Sequence, residues 1–113
     1  VLLEKDKQQN NNINNADNKV EGSLVIDDIE FTYNYYPNPV ESQLYFEYYL
    51  SKDAKVSFGL YSLTGVMMFR SPAKSLGTGT HYEAIDMGYC SRGEYVLTIL
   101  VNNKPFSEKI LKQ

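Results

Sequence analysis

The sequence predicts an all-β domain built as an antiparallel β-sandwich of about seven strands. Short runs of alternating apolar and polar residues recur between turn signals across residues 21–113, the period-2 signature of half-buried strands. No segment keeps a helical period between its Gly, Pro and Asn breakers. Ten Tyr and five Phe without Trp suit pleated, half-buried surfaces.

The first expected strand is Leu24–Tyr33, whose alternation leaves its inward face ambiguous. Pro37 and Pro39 then flank Asn38 in a stiff corner that neither a helix nor a central strand accommodates. Leu44–Leu50 follows, with Leu44, Phe46, Tyr48 and Leu50 on one face and Tyr45 and Tyr49 on the other. Val56–Ser62 turns its Val56, Phe58 and Leu60 inward. Gly65, which reaches positive φ cheaply, closes the turn into a short fourth strand, Val66–Arg70. A loop from Ser71-Pro72 to Gly79 leads to His81–Met87. Glu94–Val101 is apolar on both faces and is therefore expected to lie centrally. Asn102-Asn103 is a hairpin turn into the last strand, Pro105–Leu111. Such spacing describes an immunoglobulin-like architecture, without the Cys…Trp…Cys core of antibody domains, since the chain has one Cys and no Trp.

At 113 residues there is room for one domain. Residues 8–15 hold seven Gln and Asn around a single Ile, so they bury too little to offset ordering. Residues 1–20 are read as an Asn-rich disordered tether, either to something upstream or as the processed start of a small protein, and 21–113 as the sandwich. Net charge is −3, with −6 in residues 1–50 and +3 in residues 51–113. Neither half shows the clustered basic footprint that nucleic acid requires. No apolar run approaches the ~20 residues of a membrane span. A lone Cys90 permits no internal disulfide.

The chain offers little that carries chemistry. His81, the single histidine, has neighbours without metal-ligand spacing and reads as a strand-edge residue bonded to backbone or water. Cys90 has Arg92 nearby but no partner base, and reads as a packed thiol. Asp27 and Asp28 are expected to point to opposite faces of a strand, which divides them as calcium ligands. No catalytic residue, metal or cofactor is therefore expected. Outward Tyr45 and Tyr49 form an alternative ligand surface for a glycan or protein, weighed against plain cross-strand aromatic packing.

Five segments in order carry a family resemblance. They are Tyr36-Pro37-Asn38-Pro39-Val40; Val56 through Gly65; Leu76 through His81; Gly93-Glu94-Tyr95 with its strand; and Ser107 through Lys112. Together they resemble the type A C-terminal sorting domain of the type IX (Por) secretion system of Bacteroidota. They are also similar to small secreted immunoglobulin-like sandwich proteins from the same bacteria.

The resemblance implies a non-catalytic signal that directs an exported protein through the periplasm and across the outer membrane to the cell surface or beyond. Its implied partners are the secretion translocon and, in many members, a sortase-like peptidase that cleaves ahead of the domain while the cargo is anchored to lipopolysaccharide. Gly93, Tyr95, Lys109 and Lys112 are the candidate translocon contacts, while Pro37, Asn38, Pro39 and Gly65 shape the fold. Tyr95 is expected to plant its ring in the core with its hydroxyl near an edge. Lys109 and Lys112 are expected to keep the last strand charged against edge-to-edge pairing.

Overall fold

A computed structural model describes residues 18–113. All but the last three residues of the expected tether lie outside the described residues. Eight strands follow: β1 Val20–Ile26, β2 Ile29–Tyr36, β3 Gln43–Leu50, β4 Ala54–Ser62, β5 Met67–Leu76, β6 Gly79–Asp86, β7 Gly93–Val101 and β8 Lys104–Lys112.

The additional strand arises where the sequence suggested a single one, Leu24–Tyr33. Asp27 and Asp28 take φ of 51° and 65°, making a two-residue hairpin turn between β1 and β2. They are not strand residues on opposite faces; Asp27 reaches across to Lys104 at 3.4 Å. The turn also switches the parity of the apolar positions. Leu24 and Ile26 face inward before it, and Ile29, Phe31, Tyr33 and Tyr35 after it. One uninterrupted alternation could never have fitted both sets.

Two antiparallel sheets of four strands result, sheet A in the order β1-β2-β3-β6 and sheet B in the order β5-β4-β7-β8. The chain changes sheet after β3, returns after β5 and crosses again after β6, as in a Greek-key sandwich. β7 lies between β4 and β8, as its two apolar faces predict. β5 runs to Leu76 through the expected Ser71-Pro72 loop. Pro72 is tolerated because β5 is an edge strand, and register shifts against β4 absorb the extra residues.

The core joins the two sheets through Leu44, Phe46, Leu50, Phe58, Leu60, Leu97, Ile99 and Ile110, all buried. Phe46 meets Phe58 edge-on at 5.2 Å and Phe31 meets Phe106 at 5.3 Å, so β3 packs over β4 and β2 over β8. β1, one strand farther out than β2, projects past β8, and its inward Val20, Leu24 and Ile26 are only half buried.

Glu108 also points inward from β8. It accepts hydrogen bonds from Tyr33 and, at 2.9 Å, from Tyr35, tying sheet A to sheet B. Burial, reinforced by this carboxylate, pushes both phenols well above the usual tyrosine range.

Candidate functional site

The proline corner closes on the end of the chain. Both its X–Pro peptide bonds are cis. Beyond Pro39, Val40 is fully buried and forms a parallel bridge with Lys112. Its N–H donates to the Leu111 carbonyl at 2.8 Å, and its own carbonyl accepts from the Gln113 N–H at 2.8 Å. The side-chain oxygen of Asn38 accepts from the Leu111 N–H at 3.1 Å. Asn38 is held in turn by its own N–H, which donates to the Asn18 carbonyl at 3.1 Å. The corner thus occupies the last backbone positions on the open edge of β8.

Backbone groups of successive residues point to opposite sides of a strand, and those of alternate residues to the same side. Since those of Leu111 face the corner, those of Lys109, Ser107 and Pro105 face the same open edge. Pro105 has no N–H to offer there, which shortens the hydrogen-bonding edge. Lys109 has an exposed side chain whose ammonium lies 3.6 Å from Glu94 on the inner neighbour β7.

Lys112 differs from its sequence expectation. It shares the parity of inward Ile110, is 8% exposed, and directs its ammonium to the Gln113 carbonyl at 3.3 Å. It therefore does not shield the edge; it lies against the inner layer near Cys90. Burial pushes the Cys90 thiol up, and the Lys112 charge partly opposes that shift.

The other candidate residues gather at the same end of sheet B. Gly93 pairs with Lys112 and takes φ of 143°, which a side chain would resist. Tyr95 pairs with Ile110, buries its ring and donates its hydroxyl to the Ser91 carbonyl at 2.7 Å, a tyrosine corner at the start of β7. Ser62 pairs with Tyr95, so the turn containing Gly65, at φ 90°, stands at this end too. Corner and terminus line a shallow pocket of about 520 Å³ with Pro37, Pro39, Gln43, Tyr45 and Gln113. Tyr45 belongs both to this pocket and to the outer face of sheet A, whereas Tyr49 lies farther along β3.

His81 donates from Nε2 to the Gly77 carbonyl at 2.7 Å and packs against Tyr48, the backbone-bonded role expected of it. Among the described residues no three His, Cys, Asp or Glu side chains converge, and no helix is long and apolar enough to cross a membrane. Sequence reasoning missed Val40, Leu111 and Gln113. They act through backbone groups, which leave no compositional mark.

These features define a class: a small β-sandwich whose first corner and last strand are stapled into one surface. The chain belongs to the secretion system C-terminal sorting domain family, which matches residues 34–113. The match starts inside β2 and takes in the corner and every later strand. Membership implies interaction with the type IX secretion machinery and export through the periplasm to the cell surface or the extracellular space. No curated protein sequence and no solved structure gives a significant match to the chain.

Proposed function

We propose that this domain is a non-catalytic sorting signal read by the type IX translocon at the surface where the proline corner meets β7 and β8. The hydrogen bonding of Val40 to Leu111 and Gln113 carries the reading. It unites the first and last family segments, which lie some seventy residues apart, in a single rigid feature. Lys109 and the start of β7 at Gly93-Glu94 present the accessible part, above the buried Tyr95. Lys112, being buried, supports the surface from beneath. In this reading a sortase-like peptidase cleaves in the Asn-rich segment or just after it, releasing cargo for attachment to lipopolysaccharide.

The test fuses residues 21–113 to a reporter with an inner-membrane export signal in a type IX-competent bacterium. The expected result is reporter at the surface or in the medium, and periplasmic retention when residues 107–113 are removed. Lys109→Glu keeps the strand and reverses its charge, so it separates lost recognition from lost folding. A wild-type fusion that stays in the periplasm would overturn the proposal.

A further inference from the structure

The outer face of sheet A carries more than its strand pattern requires. Tyr36, Tyr45, Tyr49 and Tyr82 all lie on it; Tyr82 is 71% exposed, Tyr45 44% and Tyr49 41%. Tyr36 and Tyr45 are cross-strand partners with ring centroids 5.7 Å apart. Between the rings runs one register row across all four strands: Glu21, Asn34, Glu47 and Tyr82. Asn34 donates from Nδ2 to Glu47 at 3.2 Å, while its Oδ1 is buried without a partner. Glu47 also accepts from Tyr82, which raises that phenol's pKa.

The charges on this face select its occupant. Its strands present Glu21, Glu30, Glu47 and Asp86 outward and no basic residue. Acceptors therefore dominate and want a donor-rich, positively charged ligand. The chain itself shows the contact mode: the ammonium of Lys19 sits over the Tyr36 ring, 5.1 Å from its centroid. Along β3, Tyr45, Glu47 and Tyr49 recur at the two-residue spacing of one strand face, roughly 6–7 Å. An extended peptide has that same spacing between its alternate side chains. Its cationic groups then meet ring, carboxylate and ring in turn.

We propose that the outer face of sheet A docks an extended, lysine- or arginine-bearing peptide segment of a partner protein, with Tyr45, Glu47, Tyr49 and Tyr82 as its contacts. Of these contacts only Tyr45 meets the corner pocket; the surface lies away from the free edge of β8 and does not depend on the sorting role.

The experiment is calorimetric or NMR titration of the protein with a hexapeptide of alternating Arg and Gly, against the same peptide with Glu for Arg. Saturable binding of the basic peptide alone is expected, weakening by about tenfold in the Tyr45→Ser, Tyr82→Ser double variant, which leaves net charge unchanged. Tyr82→Ser alone, at the most exposed of the four, weakens binding severalfold and keeps the test valid if the double variant misfolds. Lys55→Gln, a charge change on the exposed face of the other sheet, leaves affinity unaltered. Equal binding by the tyrosine variants would reduce the effect to diffuse charge and overturn the proposal. Binding of cellohexaose in preference to the basic peptide would do the same, as would self-association in ultracentrifugation that covers this face.

Discussion

Val40 lies beside Lys112 in a parallel bridge, so the residue that ends the proline corner is paired with the last residue of β8. A corner that reads in sequence as a strand breaker is in space a clasp on the C-terminal edge. Its side-chain component is a single bond, from the Leu111 N–H to Asn38. Asn38→Ala removes that acceptor and is expected to cost about 1 kcal/mol. For a domain of this size the loss lowers Tm by about 4–8 °C. Hydrogen exchange offers the sharper check. The Leu111 amide, left without its acceptor, is expected to exchange more than tenfold faster, with β4 and β7 amides rising only by the global factor of about five.

Gly22 lies beneath the Tyr33 ring. A Cβ there would overlap Tyr33 ring atoms and hydroxyl, and that hydroxyl is pinned by Glu108. Gly59 has a similar approach, 2.8 Å to Tyr61, but Tyr61 is only half buried and is free to swing away. Gly22→Ala is therefore expected to destabilise by about 1–3 kcal/mol, an overpacking cost. Gly59→Ala is expected to cost well under half as much. Chemical denaturation of the two variants side by side measures the difference; equal losses would mean that Glu108 does not hold Tyr33 in place.

Much of the sandwich is legible in the chain because alternation and burial coincide. Tyr95, Leu97, Ile99 and Val101 announce a central strand, and they are buried in β7. Leu44, Phe46, Tyr48 and Leu50 do the same in β3. The misreadings have local causes. The Asp27-Asp28 turn has no Gly or Asn to mark it, so two strands looked like one. Pro72 argued for a loop because its place on an edge strand is a property of the sheet. For Lys112 the strand pattern carries the signal: it shares the inward parity of Ile110, against what its charge alone suggests. The clasp left no signal, being made largely of backbone groups far apart in sequence.

Alkaline pH separates the buried phenols from the exposed ones. Burial, with Glu83 adding to it, pushes Tyr48 up to about 12, and Tyr33 and Tyr35 are raised further in direction by burial and Glu108. A folded-state pKa above the unfolded value of about 10 means the native state holds the proton more tightly. This contribution to stability is complete below pH ~10 and is lost as pH rises toward and through the folded values. The denaturation midpoint is therefore expected to fall steadily above pH ~10. Tyr48→Phe is expected to flatten the first part of that fall. In absorbance titration Tyr33, Tyr35 and Tyr48 ionise together with unfolding, after the exposed tyrosines; a single transition for all of them would refute the assignment.

The hairpin ahead of the family match gives the last test. β1 lies wholly outside residues 34–113, yet Val20, Leu24 and Ile26 turn inward, and Gly22 makes room for the Tyr33 ring. These half-buried side chains together stabilise the fold by about 2–3 kcal/mol at usual apolar transfer values. β2, by contrast, supplies the fully buried Phe31 and the two phenols that bind Glu108. Deleting residues 18–27 is expected to leave a folded domain with a lower denaturation midpoint, because β2 keeps β3 as its partner. Deleting through Tyr35 is expected to abolish cooperative unfolding, since the inner layer over β8 is then uncovered. Paired export assays sharpen the comparison. The shorter deletion keeps β8 and the bonds of Val40 and Asn38 to it, losing the Asn18 contact to the corner. It is expected still to reach the cell surface, which assigns β1 to the stability of the domain and not to the proposed sorting surface.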